Sequence, residues 1–227
     1  MALGESTMKA TVPLLLSFNG GYVDTSGFLA LQGLFTAHVT GNFVTLAAAL
    51  AFGTSGVLTK LLALPVFCAV VMATRLVSHG FPERNWAVLP TMLTLKVLLL
   101  FVGTVLAITL GPFKNGDSIS AMVTGLVFVA AMAIQNAAHR IHLGNTPPST
   151  LMTGTTTQFM IDVADAVRGL PPETRDVTRG RMRAMGSAIA IFAMGAALAA
   201  LLFHHIGMWC FVVAPIVALA TRIMATR

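Results

Sequence analysis

Charge is scarce in this sequence. Only 8 Asp and Glu and 14 Lys and Arg occur among 227 residues, 10% of the chain. Soluble domains carry about 25% charged residues, so a conventional soluble domain is excluded. With 56% hydrophobic residues spread over the whole length, one integral membrane domain is the reading. Cysteine is equally sparse. Cys68 and Cys210 both lie in apolar stretches, where they read as small buried hydrophobes and say nothing of redox compartment. Enzyme signatures are missing as well: there is no Gly-rich phosphate loop, Cys-x-x-Cys, His-Glu-x-x-His or Gly-x-Ser-x-Gly. His139 and His142 sit three apart, but no third ligand accompanies them, so no metal site is assigned. No catalytic residue and no cofactor is expected. The first ten residues lack a basic segment followed by an uninterrupted apolar run and a small-residue cleavage site, so the first span is expected to direct insertion itself. The formal charge of +6 is no nucleic-acid footprint, because the basic residues flank apolar runs, where membrane topology places them.

What is present is a series of apolar segments. Val12 to about Phe35 is long enough to span, since about 20 residues cross the hydrocarbon. Asn19-Gly20-Gly21-Tyr22-Val23-Asp24 interrupts it, so a kinked or unwound helix is expected there. Further spans are read over Val57–Ser78, Ala87–Leu110 and Ile119–Ala138, then about Met185–Phe203 and Ile206–Met224 on either side of His204-His205. Pro65 is expected to kink the Val57–Ser78 span, and Trp86 suits an interfacial loop. The Arg-rich stretch from Arg168 to Arg183 reads as a cytoplasmic anchor beside anionic lipid.

Two short runs stand apart, Thr40 to Phe52 and roughly Thr153 to Val167. Each begins at a Thr-Gly step, and Thr40 and Thr153 are 113 positions apart. A Thr-Gly step before an apolar run reads as a helix start whose hydroxyls cap free backbone N–H groups. The order of long broken span, short helix and two long spans thus occurs twice, which divides the chain into repeats over 1–113 and 114–227.

Charge counting compares two topologies. If all eight segments cross with the N-terminus inside, ten basic residues are cytoplasmic and three external. If the short helices dip in and return, the partition is eleven to two, with Lys60 and Lys114 outside. Length favours the second arrangement, because 13 to 15 helical residues cover only about 20 Å of a roughly 30 Å core. The fold class is therefore an all-α membrane protein with about six transmembrane helices plus two short helices, in two inverted repeats, both termini cytoplasmic.

Opposed repeats with interrupted helices are a recurring transporter plan, in which half-helix ends hold solute near mid-membrane. The candidate site is Thr40, Gly41 and Asn42 together with Thr153, Gly154 and Thr155. Their N–H groups and positive helix ends suit a polar or anionic solute. Gln135 and Asn136 occupy in the second repeat roughly the place of Tyr22-Val23-Asp24 in the first and join the candidate set. Asp24 is an ionisable group at membrane depth, a marker of an ion or proton path or of a buried pair, and Lys96 is its obvious partner. His38 is placed at the interface. Asp162 and Asp165 share a helix face and read as the solvated end of a short helix beside Arg168.

At Gly20-Gly21-Tyr22-Val23-Asp24, at Phe35-Thr36-Ala37-His38-Val39-Thr40-Gly41-Asn42, at Ala133-Ile134-Gln135-Asn136-Ala137 and at Leu151-Met152-Thr153-Gly154-Thr155, the chain resembles the YoaK-like family of bacterial integral membrane proteins, a domain of unknown function. The resemblance implies a bacterial inner-membrane protein with about six spans and no settled activity. Function therefore rests on the residues. The expectation is a small transporter or permease for a polar or anionic solute, in contact with the lipid bilayer, compatible with a homo-oligomer and with no nucleic-acid partner. The alternative is a non-transport accessory or assembly protein, in which the Thr-Gly starts serve only helix packing.

Overall fold

The computed structural model describes residues 2–80 and 88–226; Trp86 lies outside them. The described residues are helical with short connections: α1 (Ala2–Ala30), a 3-10 turn (Val39–Gly41), α2 (Asn42–Phe52), α3 (Val57–Gly80), α4 (Val88–Leu110), α5 (Ile119–His142), α6 (Met152–Arg168), α7 (Arg175–Ile206), a second 3-10 turn (Gly207–Val212) and α8 (Val213–Met224). Among the described residues, four segments are long and apolar enough to cross a membrane: Val57–Ser78, Val88–Leu110, Ile119–His142 and the composite Arg175–Met224. The two short helices expected at the Thr-Gly steps are α2 and α6.

The first span departs from expectation. α1 runs unbroken through Asn19-Gly20-Gly21, because the glycines serve close packing rather than a break. A methyl group at Gly21 would fall on the carbonyl oxygen of Phe192 in α7, and one at Gly195 of α7 would fall on the carbonyl oxygen of Phe18. The two helices thus cross backbone to backbone, each offering a glycine to the other, the small-residue contact that membrane helices favour. Gly20 faces the Ser149 carbonyl in the same way. α7 also begins earlier than the apolar run suggested. The basic stretch from Arg175 forms its opening turns, and His204-His205 lie in its last turn rather than in a connection.

α1 packs on α7 and α8, α3 on α5, α4 on α5 and α8, α2 on α3, and α6 on α7. Between them lies a core of Tyr22, Leu100, Phe128 and Phe211, all fully buried. The Phe128 and Phe211 rings stack at 4.7 Å, and the Tyr22 hydroxyl donates to the Cys210 carbonyl at 2.7 Å. α1 and α5 run antiparallel. Leu34, just past α1, covers Gly125 near the start of α5, while Gln135 near the end of α5 reaches the Leu16 carbonyl in α1.

After each of these two helices the chain turns back alongside it. Asp24 binds residues 36–38 of the following loop, and Asn136 binds Thr150 of its own. Asp24 lies six residues before the last residue of α1 (30 − 24), and Asn136 six before the last of α5 (142 − 136). α2 then climbs back to the Gly53–Gly56 turn, where Gly53 takes a left-handed φ of 64° that ends the helix. There Asp117, from the α4–α5 connection, accepts hydrogen bonds from the backbone N–H groups of Gly56, Val57, Leu58 and Thr59 at 2.8–3.2 Å. A carboxylate is thereby set on the N-terminus of α3.

Candidate functional site

α5 carries the polar residues that matter most. From Ala131 to Gln135 every side chain is buried, so Gln135 has to satisfy its amide inside the protein. Its Oε1 accepts from Lys96 Nζ at 2.5 Å. Its Nε2 donates to the Leu16 carbonyl at 2.9 Å and to Ser149 Oγ at 3.1 Å. The next residue does the parallel task. Asn136 Nδ2 donates to the Met132 carbonyl at 2.9 Å, and its Oδ1 accepts from Thr150 Oγ1 at 2.6 Å. Adjacent amides on one helix therefore hold the adjacent hydroxyls Ser149 and Thr150, immediately ahead of α6.

Beside this clamp lies a cavity of about 480 Å³, within the size range of small-molecule sites. Asn136, His139, Arg140, Thr146, Ser149 and Thr150 supply its polar wall, with Phe67, Val71, Ala137 and Leu151 among the rest. His139 is buried and its Nε2 lies 3.2 Å from Thr146 Oγ1, while Nδ1 has no protein partner. Arg140 is exposed, and no acidic side chain belongs to the lining. A solute here would meet hydroxyls, an amide, an imidazole and a guanidinium, a set suited to an acceptor-rich or anionic group. Among the described residues no three His, Cys, Asp or Glu converge as metal ligands.

The first Thr-Gly step is built differently. Asn42 folds its side chain onto Phe35, its Oδ1 accepting from the Phe35 N–H and its Nδ2 donating to the Phe35 carbonyl, both at 2.8 Å. The Phe35 ring occupies the space a side chain at Gly41 would need, and Thr40 is exposed. The cavity lining takes nothing from residues 36–42, so it adjoins the second start and not a space between the two.

Neither Thr-Gly step caps a helix by its hydroxyl. The residue at the cap position of α2 is Gly41, and at α6 it is Leu151; neither makes a side-chain cap bond. Thr153 and Gly154 fall within the first turn of α6, both exposed, and Thr155 is buried with its hydroxyl unpartnered. The α6 helix starts at Met152, one residue before the Thr-Gly step and just past the Ser149–Thr150 clamp.

Asp24 and Lys96 do not pair. Asp24 Oδ1 receives the backbone N–H groups of Ala37 at 2.7 Å, Thr36 at 2.8 Å and His38 at 3.3 Å, while Lys96 is committed to Gln135. Three converging N–H donors in a turned-back loop satisfy a carboxylate oxygen without any cation. Asp162 is likewise no solvated end. It is 1% exposed and takes Arg181 through Nε at 2.7 Å and Nη2 at 2.6 Å, with Gln158 Nε2 at 2.9 Å. The Arg181 hydrogen bonds hold the Asp162 carboxyl below its ordinary range and tie α6 to α7. Ser149 and Thr150 escaped sequence reasoning altogether. A signal for them existed in the spacing, since Thr36, which meets Asp24, and Ser149 are 113 apart like the two Thr-Gly steps.

Helices of membrane-crossing length, a glycine-to-glycine crossing and buried polar clamps inside the bundle define an all-helical membrane protein. The chain belongs to the family described as "Protein of unknown function (DUF1275)", whose model matches residues 12–224. It is similar to the UPF0700 transmembrane protein YoaK of Bacillus subtilis (strain 168), 28% identical over 209 residues that cover 88% of either chain. No solved structure matches.

Proposed function

We propose that the protein is a small permease-like membrane protein that binds a polar or anionic solute in the cavity between the end of α5 and the start of α6. The observation that carries this is the cavity's wall: Asn136, His139, Arg140, Ser149 and Thr150 converge, without an acidic residue, on about 480 Å³ beside the first turn of α6. Thr153, Gly154 and Thr155 lie just beyond, so a solute here would be near the positive end of that helix.

The architecture we assign to it is six spans with α2 and α6 as half-helices that enter and return on one side, in two inverted repeats. Matched packing supports this. If α1 to α4 correspond to α5 to α8, then α1 on α7 corresponds to α5 on α3, α4 on α5 to α8 on α1, and α2 on α3 to α6 on α7. The Asp24 and Asn136 clamps match as well. With this topology eleven basic residues lie on one face and Lys60 and Lys114 on the other, which puts both termini in the cytoplasm of a bacterial inner membrane. Asp24 and Lys96 are the ionisable groups at depth available for ion or proton coupling; a homo-oligomer is compatible with so small a domain.

Thermal stabilisation of the purified protein tests the reading. Across inorganic anions, carboxylates, amino acids and sugars, at least one class should raise Tm in the natural protein and fail to do so in Thr150→Val and Arg140→Gln. No shift from any class would overturn it. The second reading, a non-transport accessory protein, is favoured by the first repeat, where Asp24 and Asn42 are spent on holding their own loop.

A further inference from the structure

Lys96 is fully buried in α4, and it has an unusual environment. The one ion pair among the described residues joins Arg181 to Asp162, and the Asp24 carboxylate is engaged by backbone donors. The Lys96 hydrogen-bond partner is a neutral amide, Gln135 Oε1 at 2.5 Å. In its protonated form Lys96 is a buried cation faced by a neutral dipole, and it then attracts negative charge from its surroundings, because the interior screens it weakly.

The chain of contacts leads from there to the cavity. A lysine ammonium can only donate, so its bond to Oε1 fixes the Gln135 amide with Nε2 pointing away. That Nε2 donates to Ser149 Oγ at 3.1 Å, and Ser149 lines the cavity. Having accepted from the amide, the Ser149 hydroxyl keeps its own hydrogen free to donate. We infer that Lys96 is the positioning residue that makes the α5–α6 cavity selective for anions: it supplies uncompensated positive charge behind the wall and, through Gln135, turns the Ser149 hydroxyl into a donor toward the solute. The exposed Arg140 draws anions to the mouth, and Lys96 discriminates inside. The inference rests on the proposed binding role of this cavity and names its substrate class as small anions with acceptor oxygens.

The probe is a cysteine placed in the cavity wall. Leu151 lines the cavity and is 51% exposed. In the full-length protein carrying Cys68→Ser and Leu151→Cys, with Cys210 left buried, the thiol is labelled in mildly acidic buffer by two reagents of opposite charge, sulfonatoethyl and trimethylammonioethyl methanethiosulfonate. The ratio of their rates, each corrected for its rate with a free thiol, reports local charge and is insensitive to a purely structural role. The anionic reagent should be favoured, and Lys96→Met should cut that preference by about tenfold, the order expected for removing a unit charge from a partly screened site. Gln135→Glu, which sets a carboxylate against Lys96, should cut it similarly, and it decides the matter where Lys96→Met does not fold. An anion preference unchanged in the folded variants overturns the role of Lys96 and leaves the cavity to Arg140. No anion preference in the parent overturns the anion-binding reading of the cavity itself.

Discussion

Replacing Asp24 separates a structural role from a coupling role. The Thr36, Ala37 and His38 N–H groups all converge on a single atom, Oδ1. Asn presents the same oxygen on a side chain of the same size, so Asp24→Asn keeps the acceptor of all three bonds and loses only the charge-assisted part of each. Bonds to charged groups contribute about 1.5–3 kcal/mol and neutral ones about 0.5–1.5. Two of the three are short, and relief from burying a charge offsets part of their weakening, so the net cost should be about 1 kcal/mol. Asp24→Ala removes the acceptor and strands the donors in a 6% exposed site. At about 1–3 kcal/mol for each of the two buried short-bond donors, the loss is about 2–6 kcal/mol. Thermal unfolding of the purified protein in one detergent, followed by tryptophan fluorescence and checked by protease sensitivity of the Gln32–Asn42 loop, reads both variants. Asp24→Asn should unfold near the natural protein and Asp24→Ala far below it, with the loop cut readily. Equal losses in both would refute the acceptor account of Asp24. Stability retained in Asp24→Asn together with lost flux would assign the carboxylate's proton to coupling.

Asp117 gives a pH prediction. Burial pulls its carboxyl upward, but the four N–H donors of residues 56–59 outweigh that and set it below the ordinary carboxylate value. A depressed group contributes stability above its unfolded pKa, and the contribution is lost as pH falls through the folded value. Asp117→Asn should therefore cost about 1 kcal/mol near pH 7, and the difference in Tm from the natural protein should close only below about pH 4. Gly195→Leu should prevent accumulation of folded protein in membranes, because the side chain has no room against the Phe18 carbonyl, whereas Gly154→Ala, with open space around it, should leave the unfolding free energy within about 0.5 kcal/mol of unchanged. Arg181→Ala should lower Tm by stranding Asp162, and Asp162→Asn in the same protein should restore part of the loss, as measured by a double-mutant cycle.

Membrane character, the succession of helices and the two short helices are legible from apolar runs, which dominate where lipid is the solvent. The places that misled involve glycine, hydroxyls and carboxylates, whose effect depends on what stands opposite. Gly20-Gly21 looks the same in sequence whether it breaks a helix or admits a neighbour, and only the Phe192 carbonyl on α7 decides. Asp24 suggested a cation because an acid at depth needs compensation, yet three backbone donors from a loop 12 to 14 residues on supply it. Gln135-Asn136 was legible as a polar pair within an apolar helix. Its partners Ser149 and Thr150 were not, since a hydroxyl ahead of a helix is ordinary in any loop. Arg140 and His139 gained meaning only once α5 and the following loop closed around one space.

Flux through reconstituted vesicles tests the central claim most directly. The solute class that stabilises the purified protein is loaded outside proteoliposomes, and entry is timed for the natural protein and for Thr150→Val and Arg140→Gln. Saturable uptake by the natural protein, reduced about tenfold or more in both variants while each retains its fold, is the predicted result. Equal entry with all three proteins and with protein-free vesicles would contradict it and leave the cavity with no part in transport.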